Sequence, residues 1–117
     1  MMASPHIKRI HTLEREAAAR LETQGYVVIQ FKDQEAPGYL FASRDDHGIV
    51  ITLVRTHNPF SGIEEVTRCY GGIIRDLRNV PLTEDYHFEL WVFVVSNGRW
   101  QYYRIGHDEV TEVDHGG

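Results

Sequence analysis

Gly38-Tyr39-Leu40-Phe41-Ala42-Ser43-Arg44-Asp45-Asp46-His47-Gly48-Ile49-Val50-Ile51-Thr52-Leu53-Val54-Arg55-Thr56 is the stretch that decides how this chain folds. Residues 39–44 form a short, aromatic-rich strand pattern, Asp45-Asp46-His47-Gly48 supplies a turn, and residues 49–54 form a second strand pattern. That second run is apolar at nearly every position and rich in β-branched side chains. A strand apolar on both faces must be covered on both, so it belongs in the middle of a sheet with helices packed against it.

Upstream, Ser4-Pro5 has the form of a helix start, and Ile7, Ile10, Leu13, Ala17 and Leu21 make an apolar stripe at helical spacing that should end near Gly25. A strand over residues 26–31 follows, then a polar connection over residues 32–37. Downstream, Ser61-Gly62-Ile63-Glu64 has the spacing of a capping box. It opens a second helix whose apolar positions Ile63, Val66, Tyr70, Ile73, Ile74 and Leu77 run to about Arg78. Gly71-Gly72 lies inside it and reads first as a close helix-to-sheet contact, with a kink as the rival. Residues 87–95 are a long apolar strand, Ser96-Asn97-Gly98 is a hairpin turn, and residues 99–105 return as an edge strand, leaving an acidic tail from Gly106 that should fray.

The expected fold is therefore α/β (α+β) in the order α-β-β-β-α-β-β. The first three strands should be antiparallel, and the helix between residues 54 and 88 is a crossover that sets the flanking strands parallel. A mixed five-stranded sheet flanked by two helices results. The 117 residues make one domain, 1–117, with its core over about 5–105 and a tail over 106–117.

Composition narrows the function. Cys69 is the single cysteine, so no disulfide framework exists. No run of about 18 apolar residues and no signal-peptide pattern in residues 1–8 is present, so the expectation is a cytoplasmic protein with no membrane contact. The net charge of −5, from 12 Lys+Arg against 17 Asp+Glu, disfavours nucleic acid as a partner, because holding phosphates needs a basic footprint.

The element order, with Glu14-Arg15-Glu16-Ala17-Ala18-Ala19-Arg20-Leu21-Glu22-Thr23-Gln24-Gly25-Tyr26 as first helix and exit, and with Leu40-Phe41-Ala42-Ser43-Arg44, a turn and Val50-Ile51-Thr52-Leu53-Val54-Arg55-Thr56 as hairpin, resembles the PD-(D/E)xK, or restriction endonuclease-like, superfamily. The similarity is to small archaeal Holliday-junction-resolvase-like members and covers most of residues 7–105. The resemblance implies an aspartate opening the second strand, then an acid and a lysine one residue apart on the third, with two acids holding Mg²⁺ against the phosphodiester. Those positions fall on Tyr39, Leu53 and Arg55. Phenol and leucine are no ligands for this hard cation, and shifting the alignment to Gly38, Leu40, Thr52 or Val54 is no better; the nearby acids Glu35 and Asp45-Asp46 sit at the outer ends of the hairpin. Arg55 keeps a positive charge at the lysine position and Glu14 keeps the acid of the first helix.

The resemblance thus implies a nuclease-derived scaffold with a degenerate site; the residues themselves read first as Leu53 in the core and Arg55 paired with Glu14 or another acid, with a vestigial face that binds a phosphate or an acidic partner as the rival. The expected function is a non-catalytic binding or assembly module with no cofactor and with a protein partner or second copy, joined through the last hairpin or the second helix. The alternative is a Mg²⁺-dependent DNA endonuclease or resolvase whose acids are displaced to Glu14 with Glu64 or Glu65; an immunity or regulatory protein on the same scaffold is a third reading.

The seven histidines, His6, His11, His47, His57, His87, His107 and His115, follow no ligand interval, so no metal site is expected and His57 reads as a loop cap. Cys69 reads as core packing rather than as a nucleophile. Trp91, Phe93, Trp100, Tyr102 and Tyr103 cluster on the last hairpin and should leave an aromatic surface exposed, a protein interface before a base-stacking platform.

Overall fold

A computed structural model describes residues 10–30, 39–80 and 84–115. The expected helix start at Ser4-Pro5 and the connection carrying Glu35 lie outside the described residues. The fold is α+β, with elements α1 (Ile10–Thr23), β1 (Val27–Gln30), β2 (Tyr39–Arg44), β3 (His47–Thr56), α2 (Ile63–Cys69), α3 (Gly71–Arg78), β4 (Tyr86–Val94), β5 (Arg99–Ile105) and β6 (Val110–Val113).

The strands form one sheet in sequence order, β1 to β6. β1, β2 and β3 are antiparallel neighbours, β3 and β4 are parallel across the helical crossover, and β4, β5 and β6 are again antiparallel. The apolar strand singled out at the start, β3, sits at the centre beside β4, with cover on both faces. Alternation along the strands divides the core in two. Leu40, Ile49, Ile51, Leu53, Trp91 and Phe93 face Leu13, Ala17 and Leu21 of α1. Phe88, Leu90, Val92, Tyr103 and Ile105 face Val66, Ile74 and Leu77 of α2 and α3.

The end of α1 follows directly from Gly25. It takes φ +91°, so the Tyr26 N–H reaches back to Leu21 O at 3.1 Å and the Gly25 N–H to Glu22 O at 3.1 Å. This is a Schellman closure, and it turns the chain into β1 with Tyr26 packed on the α1 side of the core.

Several expectations need correction. The sheet has six strands, not five, because the tail does not fray: Val110 and Val113 are apolar on alternate faces and pair with Ile105 and Tyr102. β5 is consequently internal, not an edge, and all five aromatics of the last hairpin are buried beneath α1, α2–α3 and β6. The second helix is broken at Tyr70 (φ −116°, ψ 27°) into α2 and α3. A methyl group at Gly71 would meet nothing within 4 Å and at Gly72 only the Arg75 side chain at 3.8 Å, so the glycine pair accompanies a kink and not a close contact. The capping box does not form either. Gly62 is the N-cap, one residue later than expected, which leaves Ser61 outside the helix with its hydroxyl donating to Glu65 Oε2 at 3.1 Å. Cys69 is exposed instead of buried.

Among the described residues no helix is long and apolar enough to cross a membrane.

Candidate functional site

The hairpin of β2 and β3 brings few of the expected residues together. Tyr39 pairs with Thr52 and Leu40 with Ile51, so Tyr39 points to the α2–α3 side whereas Leu53 and Arg55 point to the α1 side. Leu53, 4% exposed, joins the core as expected, among Leu40, Ile51, Trp91 and Phe93. Arg55 is exposed, and Glu14 is buried on α1. Glu64 and Glu65 lie on α2, across the sheet from Glu14, since α1 packs on one face and α2 on the other. Layers packed on a sheet stand about 10 Å from it, too far for Glu14 and either α2 acid to share one ion. The side chains on the α1 face of the hairpin offer hydrocarbon where Mg²⁺ needs oxygen, and this donor set does not fit the cation.

A different constellation is assembled at the other end of that same face. Alternation on β4 aims His87, Glu89 and Trp91 to the α1 side, and Glu89 is buried, only 3% exposed. Its carboxylate oxygens are held from three directions. His87 Nε2 lies 2.6 Å from Oε2, His115 Nε2 lies 2.6 Å from Oε1, and the Trp91 indole N–H donates to Oε1 at 2.9 Å. His87 Nδ1 in turn lies 2.6 Å from His47 Nε2, with the two rings stacked at 4.8 Å between centroids.

Each member arrives by a separate structural device. The hairpin turn delivers His47 at the start of β3, where the Gly48 N–H donates to Asp85 O at 2.8 Å and ties the turn to the approach of β4. β6 returns along the outer edge of β5, and just past it His115 lands on Trp91 and Tyr102, with ring centroids 5.0 and 4.9 Å away. Gln24, just past the end of α1, donates to the His115 carbonyl at 2.9 Å and fixes that return.

Burial alone would push the Glu89 pKa up. The hydrogen bonds from His115, His87 and Trp91, with the charge of His115, outweigh it and hold the carboxyl at about 2, down from 4.5. Glu89 is therefore ionised at neutral pH and can only accept, so Nε2 of both His87 and His115 carries hydrogen. The chemistry available is proton handling through linked imidazoles. Among the described residues no group of three or more His, Cys, Asp or Glu is disposed to hold a metal ion.

Sequence spacing missed this cluster because its histidines are 40 and 28 positions apart, at 47, 87 and 115. One signal was present: His87-Phe88-Glu89-Leu90-Trp91 sets two polar groups on one face of a strand that is otherwise apolar on both, and a buried acid needs partners. His57 is exposed, and its carbonyl accepts from the Ser96 N–H at 2.9 Å. A comparison with known proteins finds no family model and no curated protein that matches the chain.

Proposed function

We propose that the chain is a binding or assembly module on a restriction endonuclease-like scaffold that has lost its nuclease chemistry, acting through association with a second copy of itself. One observation carries the loss of nuclease chemistry: the α1 face of the β2–β3 hairpin, where a nuclease of that kind would set its acids, is closed by Leu40, Ile51 and Leu53 packed on Leu13, Ala17 and Leu21. The order of a helix, an antiparallel three-stranded unit, a helical crossover and a parallel strand supports the scaffold reading.

Assembly is supported at β1. Val27 and Ile29 are 70% and 55% exposed on the side away from α1, while α2 and α3 pack toward the β5 and β6 end of the sheet. β1 also ends the strand order, and an edge strand can pair with its own copy about a two-fold axis, which makes the surface self-complementary. Sedimentation over a range of concentrations tests this. A monomer–dimer equilibrium that Ile29→Asp shifts at least tenfold toward monomer is expected, and a wild-type chain that stays monomeric throughout contradicts the assembly reading.

A further inference from the structure

The cluster around Glu89 has a direction. With hydrogen on Nε2 facing the Glu89 carboxylate, His87 turns Nδ1 to His47 Nε2 at 2.6 Å, and in the Nε2–H tautomer that nitrogen accepts while His47 Nε2 donates. The lone pair of His47 is thereby placed on Nδ1. Nδ1 has no hydrogen-bonding partner among the described residues, and His47 is half-buried in a turn whose neighbours Asp45 and Asp46 are exposed. A carboxylate orienting an imidazole that in turn accepts a proton from a nucleophile is the arrangement that activates nucleophilic side chains, and both links here fall within the 2.6–3.2 Å reach it requires.

We propose that His47, His87 and Glu89 form an acyl-transfer site in which His47 Nδ1 is the nucleophile toward uncharged, activated esters. In the first step the Nδ1 lone pair attacks the ester carbonyl carbon and a nitrogen–carbon bond forms. The carbon–oxygen bond to the leaving group then breaks, and the alcohol oxygen departs with the electron pair. The proton on His47 Nε2 passes to His87 Nδ1, which leaves a neutral acylimidazole at His47 and an imidazolium at His87 facing the Glu89 carboxylate. Water then attacks the acyl carbon, the bond to Nδ1 breaks with its electron pair returning to that nitrogen, one water hydrogen stays on the released carboxylic acid and the other neutralises the alkoxide, and His47 recovers its Nε2 proton from His87.

His47 is the catalytic residue of this site. His87 accepts the proton, and Glu89 acts through His87 as a positioning residue, itself held by Trp91 and His115. The surroundings select the substrate class. Gly48 N–H to Asp85 O joins the turn to the segment before β4, and the carboxylates of Asp45, Asp46, Glu84 and Asp85 in these segments outnumber the guanidinium of Arg44. An anionic donor such as a phosphoric ester is repelled by that rim, and a neutral carboxylic ester is not.

p-Nitrophenyl acetate is the probe. The wild-type chain at neutral pH should release p-nitrophenolate faster than an equal concentration of free imidazole, and mass spectrometry should place the acetyl group on His47. His47→Gln, at a half-buried position outside the two apolar clusters, should lower the rate on the order of 100-fold with an unchanged circular dichroism spectrum. A His47→Gln rate equal to wild type overturns the proposal. Nitrogen-15 NMR of the unmodified protein gives a second reading that does not depend on a variant folding: His87 must be the Nε2–H tautomer and His47 must carry hydrogen on Nε2. A neutral His87 with hydrogen on Nδ1 breaks the relay and overturns the proposal as well.

Discussion

Glu89 is the residue on which most of the polar interior depends. An isolated carboxylate at that depth would be driven neutral, yet three donors on one oxygen pair make the charged form the stable one. Its pKa in the folded chain, about 2, lies below the ordinary 4.5, so the group stabilises the fold fully above about pH 4.5 and loses that contribution as pH falls through about 2. Acid unfolding followed by tryptophan fluorescence should therefore show wild type losing stability between these values, and Glu89→Gln should flatten that dependence. Glu89→Ala leaves two imidazole N–H groups and an indole N–H buried without an acceptor, and chemical denaturation should register a loss of about 3 kcal/mol or more.

Elements show where local pattern suffices and where it does not. The stripe on α1, the Gly25 stop, the Asn97-Gly98 turn and the parallel setting of β3 and β4 were all legible, because each rests on residues adjacent in sequence or on one crossover rule. β6 was not. Val110-Thr111-Glu112-Val113 is too short and too acidic to declare itself, and it becomes a strand because the outer edge of β5 offers it backbone partners. The His47–His87–Glu89–His115 cluster depends on that same return of the tail and on the register of β3 against β4, so it was hidden for the same reason.

The two informative glycines predict opposite outcomes. Gly25→Ala forces a side chain into φ +91° and should cost about 1–2 kcal/mol. Gly71→Ala places a methyl group in open space at the first turn of α3 and should stabilise by about 0.5–1 kcal/mol. Thermal melts of both variants check the pair.

Taken whole, the molecule separates its chemistry by face and by end. The β2–β3 hairpin is apolar on the α1 side, the acids of α1 and α2 stand on opposite sides of the sheet, and the polar cluster has gathered instead at the start of β3 and β4. Filling the hairpin with hydrocarbon ties its surface to stability: Leu53→Ala should cost about 2–5 kcal/mol, the price of a core cavity. The central claim, that no phosphodiester is cut here, is tested most directly by incubating the pure chain with branched and single-stranded DNA in Mg²⁺ or Mn²⁺ and resolving the strands on a denaturing gel. Intact strands at every protein concentration are the predicted result, and cleavage that Glu14→Ala abolishes would contradict it.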